Sequence, residues 1–442
     1  MKSSYDAAPG PARVALVAMA GASIEYYDFF VYATAATLVF PTHFFSRDLP
    51  PVIAQLAAFS TFSVGFIARP LGGILFGHMG DLFGRRRALS SALIMMGVAT
   101  TLVGLLPTYD VAGSLGAALL ILLRFIQGLA VGGQWGGAAL LAIENAPSSK
   151  RGLYGSFVQM GVPVGIVLAN GAFFLLDATV SAAAFERWGW RLPFLFSVVL
   201  VVLGYYVKSR LQDSPGYPEK PANPVSLRES ARQSPILTAL REQSMAIVLA
   251  GGAFIASSGC FYMIITYGVG YGVNHAHVSR GTMLLGIMLA SLLMMPALAW
   301  FAALSDRHGR TAIYMLGAAA TGLVSFALFP VIDSGSAVGI SLVMIASMGT
   351  AAMMYGPQAA LFADLFDQRI RYSGASLGYQ IGSILGGGFA PIIATGLYSK
   401  FASTTIIAGY MAAMCAVSLV CTAALARRSA ASNPVGNICQ EP

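Results

Sequence analysis

The chain has 442 residues, of which 57% are hydrophobic and only 10% are charged. Soluble domains carry about 25% charged residues, so this composition excludes a soluble globular enzyme. The net charge of +8 does not indicate nucleic-acid binding, because the basic residues follow the predicted loops of a membrane protein. The four cysteines lack the spacing of a disulfide framework or a metal site, and we predict no bound metal.

Apolar stretches long enough to cross a membrane recur along the whole chain. A spanning helix needs about 20 apolar residues. The sequence predicts twelve spans, at residues 14–40, 52–76, 88–106, 115–143, 152–177, 191–207, 244–270, 281–303, 312–332, 336–363, 373–398 and 404–425. We therefore expect an all-α integral membrane protein with twelve transmembrane helices.

Lysine and arginine in the loops predict the orientation. With both chain ends on the cytoplasmic side, 19 of the 26 Lys and Arg residues lie in cytoplasmic segments and 5 in outer loops. Positive charges concentrate on the cytoplasmic side of membrane proteins. We therefore predict a multi-pass protein of a bacterial inner membrane with both termini cytoplasmic. We also expect it to contact membrane lipid, to bind no nucleic acid and to be a monomer.

The first span carries two acidic residues, Glu25 and Asp28, on one helical face. An acid this deep in a membrane span is costly and indicates function. Arg124 in the fourth span lies at nearly the depth of Asp28, when depth is counted at about 1.5 Å per residue from opposite faces. We therefore predict that Asp28 and Arg124 can pair. Pairing favours the ionised carboxylate and burial the protonated one, a balance that suits proton coupling.

Alternatives remain open for each of these charges. Arg124 either tunes Asp28 or binds a substrate carboxylate directly, since guanidinium geometry suits both; a purely structural ion pair is the third possibility. Glu25 is shallower, and is a second proton site, a gate residue or a structural group. Arg69 in the second span precedes Pro70, which permits a helix bend, and we expect Arg69 to snorkel or to pair with an acid.

A loop element occurs twice, after the second span and after the eighth. Residues 77–87 read GHMGDLFGRRR and residues 304–311 read LSDRHGRT. The aligned pairs are Asp81 with Asp306, Gly84 with Gly309, and Arg85 with Arg310. Two six-span halves related by duplication are a transporter architecture. We predict a helical bundle at residues 1–207, a cytoplasmic central loop at 208–243, a second bundle at 244–426 and a cytoplasmic tail at 427–442.

Taken together, these motifs resemble those of the major facilitator superfamily. Residues 77–87 are similar to its signature loop, with Leu82 where a basic residue is usual, and the second copy has Ala302 where Gly is usual. Residues 124–128, RFIQG, are similar to its R-x-x-Q-G motif. The resemblance implies two pseudo-symmetric six-helix bundles that transport by alternating access. Related sugar–proton symporters use a first-span Asp with a fourth-span Arg.

A finer resemblance is to the metabolite:proton symporter family, whose members carry shikimate, α-ketoglutarate, citrate, proline or betaine. It covers essentially the first six spans. The matching segments are EYYDFF at 25–30, ARPLGG at 68–73, GGQWGG at 132–137, WGWR at 188–191 and QMGVP at 159–163. Gln134 stands where this family usually has Glu. The resemblance implies that the proton gradient supplies the energy and that no cofactor is needed.

Two sets of residues follow as candidates for gating and for substrate binding. The predicted gating residues are Gly77, Asp81, Gly84, Arg85, Arg86, Asp306, Gly309 and Arg310, since an Asp can accept hydrogen bonds from a helix N-terminus. The arginines alternatively serve only topology. The predicted cavity residues are Tyr27, Tyr32, Gln127, Gln134, Trp135, Gln159, Tyr262, Tyr267, Tyr355, Gln358, Tyr379 and Gln380, each a polar or aromatic side chain in an apolar span. Gly161, Gly165, Gly382 and Gly386 are predicted to permit close helix contact.

We predict a secondary transporter, not an enzyme, that imports a small organic acid together with a proton. No G-x-x-x-x-G-K-[ST] loop occurs, so nucleotide does not drive it. The first-span acid and the GVPVG segment at 161–165 favour import over efflux. The alternatives are an exporter of the same fold, a zwitterion or osmolyte symporter, and a membrane sensor that binds without transporting.

Overall fold

The computed structural model describes residues 11–83, 85–132, 150–199, 201–202, 241, 243–366 and 371–432. All regular structure in these ranges is helical. Nine of the helices there are long and apolar enough to cross a membrane, and Ser90–Leu105 and Gly189–Val199 are shorter apolar helices. The prediction of an all-α membrane protein is therefore confirmed.

Each predicted span corresponds to one helix. The helices are α1 (Pro11–Leu38), α2 (Pro51–Phe83), α3 (Arg85–Leu105), α4 (Ser114–Gly132), α5 (Arg151–Thr179), α6 (Gly189–Val199), α7 (Ser244–Asn274), α8 (Arg280–His308), α9 (Arg310–Asp333), α10 (Ala337–Asp364), α11 (Arg371–Gly382, continued by Ser383–Gly388 and Ala390–Phe401) and α12 (Thr404–Ser432). Short helices at Phe40–His43, Tyr109–Ala112 and Ala182–Arg187 connect some of them. The domain limits given above stay predictions.

The helices pack as two similar halves. In the first half α1 packs on α5 and α2 on α4, and in the second half their counterparts α7 and α11, and α8 and α10, pack in the same way. Between the halves, α5 lies along α8 and α2 lies along α11. Exchanging the halves interchanges these last two pairs, so the interface is pseudo-symmetric. We call the face at which α1 begins the inner face, after the predicted orientation, and the opposite face the outer face.

Glycines bring the equivalent helix pairs into close contact, as predicted. A Cβ atom at Gly165 of α5 would lie 2.6 Å from the Cβ of Tyr26 in α1. A Cβ atom at Gly386 of α11 would lie 2.5 Å from the carbonyl oxygen of Ile255 in α7. Real Cβ contacts are longer than this, so only glycine fits here. These contacts hold α1 and α7, which face each other across the interface, in fixed positions.

Two π-helical turns interrupt the helices at the interface of the second half. One spans Met263–Gly268 in α7 and the other Ser383–Gly388 in α11. Such turns are rare and frequently occur at functional sites. Each lies next to side chains of the central cavity described below, because Tyr262 directly precedes the first turn and Ser383 begins the second.

Candidate transport site at the interface of the two halves

Asp28 is the most completely buried acid among the described residues of the first half. It lies on α1 with 0% exposure, and neither carboxylate oxygen has a hydrogen-bond partner among the described residues. Ser197 of α6 and Thr100 of α3 are its polar neighbours. An ionised carboxylate without partners in apolar surroundings is costly. The site therefore favours a carboxyl group that carries its proton.

The hydrogen bonds of Thr100 also match a protonated Asp28. The Thr100 hydroxyl donates to the Met96 carbonyl oxygen at 2.9 Å and accepts from Gln127 Nε2 at 2.9 Å. A hydroxyl has one proton to donate, so Thr100 can only accept a further hydrogen bond. It can therefore satisfy the O–H of a protonated carboxyl and not a carboxylate oxygen.

The predicted direct pair between Asp28 and Arg124 is not present among the described residues, and that prediction was wrong for this conformation. Arg124 of α4 is fully buried, but its Nη1 donates to Gln127 Oε1 at 3.1 Å, and Gln127 in turn donates to Thr100. The depths of Asp28 and Arg124 in the membrane are similar, because Asp28 neighbours Thr100 and Arg124 is linked to Thr100 through Gln127. Gln127 and Thr100 lie between them, so the link is a chain of polar groups.

Aromatic rings enclose the Arg124 guanidinium. Its central carbon lies 4.4 Å from the ring centre of Phe29, 4.2 Å from Tyr32 and 4.8 Å from Phe62. On the remaining side it abuts Gly65 of α2, where a Cβ atom would come within 2.6 Å of Nε. Cation–π contacts of this kind stabilise a buried cation. Arg124 is thus held rigidly inside the first half.

A second buried arginine, Arg69 of α2, also lies over the Phe29 ring. It is 2% exposed, and its central carbon is 4.7 Å from the ring centre of Phe29 and 4.3 Å from Phe66. Neither Nε nor Nη2 has a hydrogen-bond partner in the described part of the chain. The sequence predicted that Arg69 snorkels or pairs with an acid; in the structure it is buried against aromatic rings. A positive charge in the middle of a span was the signal that could have marked it as a site residue.

Arg69 lines a small closed cavity of about 20 Å³ between the two halves. A cavity of this size holds about one water molecule. The lining residues are Tyr26, Arg69 and Val162 from the first half, and Phe254, Ser257, Ser258, Phe261, Tyr262, Tyr355, Tyr379 and Ser383 from the second. Gly387 of the α11 π turn makes room for Tyr262, since a Cβ atom there would meet its ring at 2.7 Å.

The predicted cavity residues divide into several groups. Tyr262, Tyr355 and Tyr379 line the central cavity. Gln159 lies between the halves, where its Nε2 donates to the Tyr355 carbonyl oxygen at 3.4 Å. Gln134 and Trp135 lie outside the described residues. The remaining residues, whose positions differ from the prediction, are Tyr27, Tyr32, Gln127, Tyr267, Gln358 and Gln380.

These differences have a physical reason in each case. Tyr27 donates its hydroxyl to the Pro193 carbonyl oxygen at 2.8 Å and Tyr32 donates to Thr61 at 2.8 Å, so both point into the first bundle, as Gln127 does. Tyr267 lines an outer vestibule. Gln358 and Gln380 are buried in the second half and do not line the central cavity. A span that is apolar all round does not reveal which face points to the interface.

Glu25 lies on α1 beside the central cavity. It is 8% exposed and its charge acts on Tyr26, Tyr379 and Asp28. It does not line the central cavity itself. Its predicted role as a second proton site or gate residue stays a prediction.

On the inner side, Asp306 connects the two halves. Its carboxylate, on α8, accepts hydrogen bonds from the backbone N–H groups of Gly152 at 3.0 Å and Leu153 at 3.2 Å, at the N-terminus of α5. An anion at a helix N-terminus is favourable. Arg310 Nη2 lies 3.3 Å from Asp306, and its Nη1 pairs with Asp364 within the second half. Of the predicted gating residues, Asp306 therefore bonds across the interface and Arg310 supports it; their gating role stays a prediction.

The remaining predicted gating residues are Gly309, Gly84, Gly77, Asp81, Arg85 and Arg86. Gly309 adopts φ +93°, a conformation that glycine tolerates, and this sharp turn separates α8 from α9. Gly84 lies outside the described residues, and so do the side-chain surroundings of Gly77, Asp81, Arg85 and Arg86. Their gating roles stay predictions.

The outer side is closed as well, below a vestibule of about 990 Å³. Thr37 of α1 donates to the Thr266 carbonyl oxygen of α7 at 3.5 Å, and Ser63 of α2 donates to the Gly388 carbonyl oxygen of α11. Above this constriction, Arg280 of α8 lies 3.3 Å from Glu186 of the first half. In the described part of the chain, contacts between the halves therefore lie on both sides of the central cavity, as in an occluded conformation.

Within the described ranges, helices α1 to α12 form two pseudo-symmetric halves with buried charges and a cavity at their interface, which define the class of a membrane transporter and not an enzyme. The chain belongs to the Major Facilitator Superfamily, whose family model matches residues 18–387. The fold agrees: the xylose transporter XylE from E. coli superimposes with a TM-score of 0.70 at 18% identity, covering 96% of this chain and 98% of that one.

Curated relatives are similar over almost their whole length. The inner membrane metabolite transport protein YhjE of Escherichia coli (strain K12) is 38% identical over 418 residues, 92% of each chain. The shikimate transporter of the same organism is 37% identical over 412 residues, again 92% of each. Its proline/betaine transporter is 30% identical over 420 residues, 93% of this chain and 83% of that one.

Proposed function

We propose that this protein is a proton-coupled symporter that imports a small organic acid by alternating access. The observation that carries the proposal is the arrangement around Phe29. Two buried guanidinium groups, of Arg69 and Arg124, flank its ring, and the unpartnered acid Asp28 precedes it in α1. The positive groups attract an anion into the interface, and Asp28 supplies the group that takes up the proton.

The proton and the anion favour each other at this site. Protonating Asp28 removes one negative charge, so the local potential becomes more positive by one unit. An anion that enters the cavity then replaces the lost negative charge. Because two charges of opposite sign enter together, neither has to be buried uncompensated, which would be the costly alternative. Transport of a proton with a monocarboxylate follows from this balance.

Contacts at the two ends of the interface are suited to alternating access. The inner contact of Asp306 with the α5 N-terminus and the outer contact of Glu186 with Arg280 lie at opposite ends of the same interface. Rocking one half against the other opens one end and compresses the other. The outer vestibule gives the path by which the substrate and the proton reach the central cavity.

A second candidate is a zwitterion symporter of the osmolyte type. The tyrosine and phenylalanine side chains of the central cavity favour it, because aromatic rings bind quaternary ammonium groups. A relative that is a proline/betaine transporter supports this candidate, and a relative that is a shikimate transporter supports the organic acid.

Uptake into proteoliposomes tests the proposal. The purified protein is reconstituted, and accumulation of shikimate, proline and glycine betaine is measured with the outside more acidic than the inside. We expect accumulation of the carboxylate above equilibrium, and its loss when a protonophore collapses the gradient. Accumulation only of betaine supports the second candidate. Substrate exit coupled to proton entry indicates an exporter, and binding without counterflow indicates a sensor.

A further inference from the structure

Only one of the two buried arginines is placed to touch a transported molecule. In both arginines, Nε and Nη2 have no hydrogen-bond partner in the described part of the chain. Arg124 is enclosed by three rings and by Gly65 against Nε, and it does not line the central cavity. Arg69 does line the cavity, so its free edge can meet a ligand there. Of the possibilities left open for Arg124, direct binding of the substrate is therefore the least favoured.

The unpartnered atoms of Arg69 match a carboxylate. Nε–H and one N–H of Nη2 point in the same direction along one edge of the planar guanidinium. Two parallel N–H···O bonds from such an edge bind both oxygens of a carboxylate, and these bidentate charged bonds are among the strongest in proteins. A buried donor without a partner is costly, so this edge is prepared for a ligand that brings two acceptors.

Seven hydroxyl groups surround Arg69 in the cavity wall, together with the apolar side chains of Val162, Phe254 and Phe261. Tyr262, Tyr379 and Tyr26 interact with its charge, and the other hydroxyls belong to Tyr355 and three serines. Each hydroxyl can donate and accept a hydrogen bond. Among the described residues, the cavity wall itself contains one cation and no carboxylate, and Glu25 lies beside it without lining it. A ligand with one carboxylate and several hydroxyls satisfies this surface.

The hydroxyl groups come mainly from the other half of the protein. Arg69 lies on α2 of the first half, whereas Tyr262, Tyr355 and Tyr379 lie on α7, α10 and α11 of the second. A ligand bound to Arg69 by its carboxylate and to these tyrosines by its hydroxyls connects the two halves. The cavity of about 20 Å³ must widen to admit such a ligand, and a ligand held by both halves then favours a conformation in which they stay together.

We propose that the Nε–Nη2 edge of Arg69 binds the substrate carboxylate and that the tyrosine hydroxyls around it select a hydroxylated monocarboxylic acid. This inference rests on the proposed function, because it assigns the substrate class of the same transport site. It makes Arg69 a direct substrate ligand, distinct from the proton site at Asp28.

Equilibrium binding to the full-length protein in detergent, without any gradient, tests the inference. The probes are shikimate, methyl shikimate and cyclohex-1-ene-1-carboxylate, which remove first the charge and then the hydroxyls. We expect the wild type to bind shikimate more tightly than either analogue. Arg69→Lys and Arg69→Gln should weaken shikimate binding by about 10- to 100-fold, as expected for charged hydrogen bonds. Arg69→Gln, which removes the charge, should also abolish the preference over the methyl ester, whereas Arg69→Lys should retain part of it. A purely structural role would leave this preference unchanged in both variants.

Two controls keep the result interpretable. Arg427→Gln removes an exposed arginine at the end of α12 and should bind as the wild type does. Tyr262→Phe and Tyr379→Phe keep the ring and remove one hydroxyl each, so they should weaken shikimate binding and leave cyclohexene carboxylate binding unchanged. These variants test the inference even if the Arg69 variants do not fold.

Binding of shikimate to Arg69→Lys with wild-type affinity would overturn the inference, and so would equal wild-type affinity for the acid and its ester. Either result leaves proton-coupled uptake, measured separately in proteoliposomes, unaffected. If the wild type shows no gradient-driven carboxylate uptake, the proposed function is overturned instead.

Discussion

Replacing Asp28 with asparagine tests the coupling between proton and substrate most directly. The amide has the shape of a protonated carboxyl group and cannot ionise, so Asp28→Asn fixes the site in the state that the substrate prefers. We expect the variant to bind and exchange an anionic substrate but to lose uphill, gradient-driven accumulation. The wild type should do both.

The structure gives the size of the effect on binding. Asp28 precedes Phe29 in α1, and the Arg69 guanidinium carbon is 4.7 Å from the Phe29 ring centre. At a separation of about 10 Å and an effective dielectric constant of about 20, one unit charge changes the binding free energy by about 1.7 kcal/mol. This corresponds to about 15-fold in Kd. Wild-type affinity for an anion should therefore fall by about 15-fold when Asp28 ionises.

The assay is anion binding as a function of pH, together with uptake and counterflow in proteoliposomes. Between pH 5 and pH 9 the wild type should lose affinity, whereas Asp28→Asn should keep the higher, acid-form affinity throughout. Asp177→Asn, which removes an exposed carboxylate from α5, serves as the control and should follow the wild type. Full accumulation by Asp28→Asn, or the same pH dependence as the wild type, would refute the electrostatic reasoning.

Three further predictions concern the supporting structure. Arg124→Lys should not restore the uptake lost in Arg124→Ala, because a lysine cannot fill the place of the planar guanidinium between the rings; wild-type uptake by the Lys variant would contradict this. Asp306→Asn should weaken the inner contact by about 1 kcal/mol. Hydrogen exchange of the backbone amides at the N-terminus of α5 should therefore become several-fold faster. Unchanged exchange would show that the contact does not hold the inner side closed. Gly165→Leu should lower the melting temperature, since overpacking costs about 1–3 kcal/mol. The control Gly409→Leu should not lower it, because a Cβ atom at Gly409 meets nothing within 4 Å. Equal melting temperatures of the two variants would contradict the close α1–α5 contact.

The sequence predicted the helices well because a lipid environment imposes a simple rule on length and polarity. The seventh predicted span, at residues 244–270, corresponds to Ser244–Asn274, and the tenth, at residues 336–363, corresponds to Ala337–Asp364. Helices continue past the apolar core where loops are short, so α7, α8 and α12 extend several residues beyond their predicted ends. The glycine pairs were also predictable, since four-residue spacing places both glycines on one face.

Side-chain partners were harder to predict. Counting residues along a span gives the depth of a side chain in the membrane, but not the direction in which it points around the helix. Counting residues placed Asp28 and Arg124 at one depth, but nothing in the sequence showed that Gln127 and Thr100 stand between them. For the same reason Tyr32, which stacks on Arg124, could not be distinguished from Tyr262, which faces the cavity. Both are aromatic residues in apolar helices.

The separation of Asp28 from Arg69 explains how one site can serve two ligands that never need to touch. Both guanidinium groups lie over the Phe29 ring, and Asp28 is fully buried, so its charge is screened less than it would be in solvent. A direct ion pair between Asp28 and an arginine would oppose protonation, and the arginine would then be unavailable to an anion. In the proposed mechanism, the proton changes the potential that the substrate experiences while each binds its own group. Coupling of this kind depends on charge and distance, and it therefore tolerates changes in substrate shape that a shared contact would not.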